Sequence, residues 1–391
     1  VALAIPAGAG AQGMAPAPEG APPPRGFRLG SVYLSPTIAL RQLGLDSNVF
    51  NDPDDPKEDF VISALPALNI FLRPSYMQAS ATVGADFNYF HTYSSERYVA
   101  PVARGRVDFM FNRLRPFVGG ARTDTRDRPN REIDARARHV DYEAGAGVGF
   151  EISPQTLAYF STTRSGSGYR EGETFDGVAL DESLNRGTTA YDVGLRLSLT
   201  PLTTLTMAGS FSDDHFSEDP TRNTESTTVT AEFTFDPDAV FSGRARVGVR
   251  GFRPDDTALD SFTGLVASAA IVWPVLDRGR FEFQVLRDVQ YSYEQTEGYY
   301  LETTGDVTYT HRLGGAFDIQ GRGSWSRLGY ADTEAGGDRV DRVRLFSAGV
   351  GYNLGDSRLG LTVEDARRSS ELREDRRYDR TRVFASWTYT F

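Results

Sequence analysis

The stretch Val383-Phe384-Ala385-Ser386-Trp387-Thr388-Tyr389-Thr390-Phe391, at the end of the chain, decides the fold class. In an extended strand successive side chains point to opposite sides, so Val383, Ala385, Trp387, Tyr389 and Phe391 share one face. Arg382, Ser386, Thr388 and Thr390 share the other. An apolar face ending in aromatics suits a strand that faces lipid, with its rings at the membrane interface. An edge strand of a soluble sandwich could carry the same alternation, so the rest of the chain has to decide.

Repetition decides it. The alternating segments fall at about 31–43, 60–72, 75–91, 98–111, 115–126, 138–152, 155–167, 185–199, 202–214, 224–236, 239–252, 258–272, 279–293, 297–311, 314–328, 339–354, 357–368 and 379–391. They are two to three times as long as the roughly 5–6 residues usual in a sandwich. Their connections alternate between tight turns, such as Arg73-Pro74-Ser75, Asn112 to Arg115, Thr200-Pro201-Leu202 and Gly355-Asp356-Ser357, and longer charged stretches. The long ones include Gly44 to Asp59, Arg126 to Arg138, Gly168 to Ser183, Asp213 to Asn223, Gly329 to Arg339 and Ser369 to Asp379. Short turns on one side and long loops on the other describe an all-β, antiparallel up-and-down transmembrane barrel, with short periplasmic turns and longer extracellular loops. The spans predict about 18 strands, with 16 as the alternative, because Pro36 interrupts the first span and Glu294-Gln295-Thr296 is short for an outer loop. Residues 30–391 form this single barrel.

Composition agrees. The 391 residues include 39 Gly, 25 Phe and 18 Tyr but no run of 18 apolar residues, which excludes an ordinary helical span. The absence of Cys removes disulfides and thiolate metal sites. A net charge of −11 lacks the basic footprint of a nucleic-acid binder. Residues 1–29 stand apart: Val1 to Gly13 is small and apolar like a signal-peptide remnant, and Pro16 to Arg25 reads as a Pro-rich flexible tether.

If the apolar residues face lipid, the inward set carries both signs of charge. It comprises Arg104, Arg106, Asp108, Glu143, Glu151, Asp192, Arg196, Glu232, Asp236, Arg244, Arg246 and Arg250. From the later strands come Glu282, Asp288, Glu302, Asp306, Asp318, Arg322, Glu364, Arg380 and Arg382. Nearly all the positive charge is Arg, whose rigid fork suits pairing with carboxylates across a lumen. Such a lumen either passes a polar solute or holds an inert barrel in shape by paired charges. Tyrosines near strand ends, among them Tyr89, Tyr142, Tyr169, Tyr299, Tyr300 and Tyr330, are expected mainly in the interface girdle.

Enzyme chemistry is thinly represented. Of the four histidines only His215, in Ser212-Asp213-Asp214-His215, has a hydroxyl and carboxylates close by. Alternation sends Ser212 and Asp214 one way and Asp213 and His215 the other, so no triad assembles. The acidic loop Asn51 to Asp59 has oxygen ligands but not the spacing of a calcium motif. No catalytic residue, cofactor or metal site is expected.

Several of these stretches resemble the β-barrel porins whose genes often accompany exopolysaccharide or capsule assembly systems. They are Ser31-Val32-Tyr33-Leu34-Ser35-Pro36, then Leu45-Asp46-Ser47-Asn48-Val49-Phe50, and the strand containing Leu65-Pro66-Ala67-Leu68. The ending Trp387-x-Tyr389-x-Phe391 is similar to the terminal signal read by the barrel assembly machinery. The resemblance implies the outer membrane of a Gram-negative bacterium, contact with its lipid and lipopolysaccharide, and passage of a polysaccharide or another polar solute.

Overall fold

A computed structural model describes residues 26–257, 259–276, 278–294, 298–330 and 339–390. Eighteen antiparallel strands form a closed wall. In chain order the first six are β1 (Val32–Asp46), β2 (Asp59–Leu72), β3 (Met77–Phe90), β4 (Tyr98–Phe109), β5 (Leu114–Thr125) and β6 (His139–Ser153). The next six are β7 (Thr156–Tyr169), β8 (Arg186–Thr200), β9 (Thr203–Phe216), β10 (Thr224–Phe235), β11 (Ser242–Pro254) and β12 (Phe262–Val275). The wall is completed by β13 (Gly279–Tyr291), β14 (Tyr299–Gly314), β15 (Phe317–Tyr330), β16 (Val340–Leu354), β17 (Ser357–Ser370) and β18 (Tyr378–Thr390). Each expected span lies within about four residues of its strand, the usual error of boundaries read from pattern alone. Before β1, Phe27–Leu29 folds back onto Val32–Leu34 as a short hairpin.

The last strand closes the wall against the first, with Leu45 opposite Val383 and Ile38 opposite Tyr389. Closure leaves no sheet edge there for lipid to meet. A bulge at Arg41, between Leu40 and Gln42, inserts one residue into β1 relative to β2. It resets the alternation, so that Ile38 before it and Leu43 and Leu45 after it all lie exposed on the outer surface. Gly44 sits where the two strands close, and a Cβ at that position would collide with the Val383 carbonyl.

Alternation sorts the rest of the wall. Tyr191, Val193 and Leu195 are exposed outward, whereas Asp192 between the first two is buried inward. Val229, Val249, Leu361 and Val383 are likewise exposed on the outside, as a lipid-facing band requires. Trp387 and Tyr389 stack on that face with ring centroids 6.2 Å apart; Phe391 lies outside the described residues. The tight turns sit at the periplasmic end, where Asn112 adopts φ 47° between the bridged Phe111 and Leu114.

Two expectations change. Asp236 is not on a strand: it follows β10 in the turn, where its carboxylate accepts the Asp238 N–H at 3.0 Å. Tyr89 and Tyr142 are exposed at the outer surface as girdle residues, but Tyr169, Tyr299, Tyr300 and Tyr330 are buried. Tyr300 and Tyr330 pack inward with Leu328.

Candidate functional site

Two of the long connections do not stay outside. Residues 126–138, between β5 and β6, reach across the extracellular end of the lumen and are gripped from nearly every side. Arg126 and Arg136 meet Glu96, after β3, at 3.1 and 3.3 Å. Arg128 Nη2 donates to the Val49 carbonyl at 2.9 Å, after β1. Arg131 pairs with Glu302 of β14 at 3.0 Å. Asp134 pairs at 3.0 Å with Arg368 of β17, whose side chain is fully buried. The second connection, 170–185, carries a two-residue ribbon and the short helix Leu180–Leu184. Its Phe175, Leu180 and Leu184 pack against Ile133 and Ala137 of the first, in one apolar cluster with Tyr169 and Tyr293.

The centre of this plug-like constriction is Glu132, which is fully buried. Its carboxylate accepts the Ser292 hydroxyl at 2.7 Å and the Tyr293 N–H at 3.1 Å. Burial raises its pKa to about 7, even though those two donors and the nearby Arg339 and Arg376 favour the charged form. Around it runs an arginine–carboxylate network. Arg368 Nη2 pairs with Asp341 at 2.5 Å, Arg339 with Asp341 at 3.1 Å and with Glu294 at 2.8 Å, and Arg373 with Glu294 at 2.9 Å. Desolvating each such ion costs several kcal/mol unless it is paired, and the loop joins this network through Asp134 on Arg368.

Below the constriction lies a cavity of about 990 Å³. Its wall shows acidic Asp141, Glu143, Asp192 and Asp214 from β6, β8 and β9. Arg41 and Arg104 stand to one side, and Arg246 and Arg250 to the other. Cross-strand register explains the pairs: Glu232 lies directly opposite Arg246, and their side chains meet at 2.7 Å. Arg250 reaches Asp288 at 3.0 Å and also donates to Ser226. Arg106 pairs with Asp108 at 2.7 Å, two residues along the same face.

The remaining inward candidates fall in two groups. Asp306 with Arg322 (2.6 Å) and Asp318 with Arg358 (2.6 Å) pair across β14–β17, as do Glu364 with Arg382 and Asp46 with Arg380 at the closing strands. Arg244 and Glu282 lie near the periplasmic mouth, where Arg244 is exposed and Glu282 pairs with Arg280. Glu151 meets Arg115 at 3.2 Å. Arg196 shares the inward face with Asp192 and lies opposite Thr206. Sequence reasoning missed Glu132, Asp134, Arg339, Arg368, Arg373 and Arg376, the residues that hold the constriction. Their one legible signal is Ile133, an isolated large apolar side chain in a charged loop.

Among the described residues no three His, Asp or Glu side chains converge to hold a metal ion. In the string around His215, Asp214 is buried inward and His215 is exposed outward, so the two face apart. The acidic loop after β1 uses its oxygens on itself: Asp52 accepts the N–H groups of Asp54 and Asp55 at 2.9 Å.

A family model described as "Putative beta-barrel porin 2" matches residues 21–391. No curated protein sequence matches the chain. Solved barrels share the fold. Pseudomonas aeruginosa OccK2 (OpdF) is 13% identical with a TM-score of 0.52, over 94% of this chain and 100% of its own. Pseudomonas aeruginosa OpdK, solved with vanillate, is 11% identical with a TM-score of 0.50, over 92% and 99%. A BenF-like porin from Pseudomonas fluorescens Pf-5 is 10% identical with a TM-score of 0.51, over 93% and 100%.

Proposed function

The chain belongs to the beta-barrel porin 2 family, and from that premise we propose that it is a passive outer-membrane channel for small polar solutes. The observation that carries this is the position of residues 126–138. They reach across the extracellular end of the lumen and leave a mixed-charge cavity of about 990 Å³ on the periplasmic side of the loop. An inert barrel stiffened by paired charges would need neither an infolded loop nor a cavity. Charges of both signs interleaved around the wall suit a polar or dipolar solute rather than one sign of ion.

Passage of an extended exopolysaccharide is the less supported reading. A loop pinned to β14 by Arg131 and to β17 by Asp134 would have to be released for each thick chain. Planar-bilayer recording of the purified protein tests the proposal. Discrete ohmic steps that fall when a small polar solute is added support it. Folded, inserted protein without conductance would leave a scaffolding barrel.

A further inference from the structure

The wall has a seam that alternation did not reveal. Between β12 and β13 the ladder runs from Val275 opposite Gly279 to Ala267 opposite Arg287 and stops there. Above that point β12 stays paired with β11 up to Phe262, and β13 stays paired with β14 up to Tyr291. Both strands therefore continue toward the extracellular side, but apart from each other.

They overlap instead. Val285 is exposed to lipid on the outer face of β13, yet Val289, on that same face, is buried. Tyr291, next in that series, stacks edge-on against the inward-facing Phe216 at 4.9 Å and lies 5.6 Å from Phe252. Its hydroxyl bonds with Thr224 of β10. Tyr299 of β14 lies 5.1 Å from Phe252, and Phe262 joins the same cluster. The outer face of the β13–β14 hairpin thus slides behind the inner face of β10–β12.

This overlap is a different kind of wall. It is held by side-chain contacts rather than by a hydrogen-bond ladder, so it can part without breaking backbone pairs. The seam begins in the row of outward residues containing Val193, Val229, Val249 and Leu265, all exposed, which is the lipid-facing band. Its inner side borders the lumen cavity, which Val266 and Val289 both line. At the point where the ladder ends stands Arg287, on the lipid-facing side. It donates to the Leu265 carbonyl at 3.2 Å and to Thr303 at 2.9 Å, both neutral oxygens. A guanidinium in a lipid-facing position is costly unless it has a task.

We propose that this seam is a lateral passage for an anionic amphiphile between the lumen and the outer leaflet, with Arg287 taking the head group and the aromatic overlap taking the tail. The inference rests on the channel reading above and adds a second substrate class and a second exit. A head group with an acidic oxygen would replace the neutral acceptors of Arg287 by a charge-assisted pair, roughly twice as strong. The freed β12 edge would then move away from the hairpin.

Flux into proteoliposomes tests this with two permanently anionic probes, dodecanesulfonate below its micellar concentration and compact ethanesulfonate. The chain has no Cys, so Phe252→Cys with Tyr299→Cys places a unique pair across the overlap, to be joined by a short bismaleimide. Cross-linking holds the overlap shut and is expected to lower the dodecanesulfonate-to-ethanesulfonate flux ratio by about tenfold, no less than the loss of one charge-assisted hydrogen bond at Arg287 would. Arg287→Ala, which removes no core side chain, is expected to lower the same ratio by a similar factor, and it serves as the test if the double variant fails to fold. An unchanged ratio in a folded variant overturns the lateral passage and leaves the channel standing. Absence of flux of either probe through the unmodified protein overturns the channel reading itself.

Discussion

The extracellular part of the lumen is packed like the interior of a soluble domain, whereas the part below it is a wall of paired charges around open space. Above, Ile133, Leu180, Leu184 and Tyr293 form a buried cluster, and Arg368 is enclosed by Asp134 and Asp341. Below, Glu232 and Arg246 or Arg106 and Asp108 pair with part of each side chain still exposed. The same residue types therefore do two jobs. Buried pairs fix a loop in place because breaking one strands a desolvated charge; exposed pairs contribute little to stability and instead set the field inside the lumen.

The largest effect is expected at Arg368. Arg368→Ala removes the nearer partner of Asp134, which keeps Arg376 at 3.5 Å, and one partner of Asp341, and is expected to cost about 3–5 kcal/mol of local docking. Limited proteolysis within residues 126–138 should become rapid while the barrel stays resistant. Cleavage no faster than in the unmodified protein would mean that the loop is held by its apolar cluster alone.

Glu132 makes docking of the loop depend on pH. The docked loop keeps its Glu132 proton up to about pH 7, whereas a released carboxyl loses it near 4.5. Docking is therefore strongest below that lower value, weakens as pH rises through the window, and changes little above it. Conductance should be about twofold higher at pH 8 than at pH 5. Glu132→Gln should flatten that rise, and a Gln variant that keeps the full pH dependence would point to another group.

The smallest effect is expected in the open part. Replacing Arg244 and Arg246 by Glu leaves Glu232 beside a like charge and should shift reversal potentials toward cation preference by a factor of about two in permeability ratio. Stability should barely change. Unaltered selectivity would remove these residues from the conducting path.

How much of this was legible in the sequence follows from the same contrast. The strands were legible because lipid enforces apolar alternation residue by residue, as in Tyr191-Asp192-Val193. The ion pairs of the open wall were legible as an inward set because alternation fixes their face, though not their partners. The constriction was not. Arg126 to Arg138 reads as a solvated loop, since apart from Glu96 the groups that neutralise it, such as Glu302, Arg339 and Arg368, lie more than 160 residues away in the chain. The seam escaped for another reason: Phe281, Phe283, Val285, Val289 and Tyr291 keep one apolar face throughout. Alternation cannot distinguish a residue packed on lipid from one packed on the neighbouring wall. Only Arg287, charged in the middle of that face, marks the change.

The most direct test of the account is single-channel conductance of the unmodified protein against a variant in which residues 128–137 are replaced by a short Gly-Ser linker. If those residues narrow an otherwise open lumen, the variant inserts as the same barrel and conducts several-fold more, because the narrowest segment dominates resistance. Equal conductance from the two folded proteins would contradict the account.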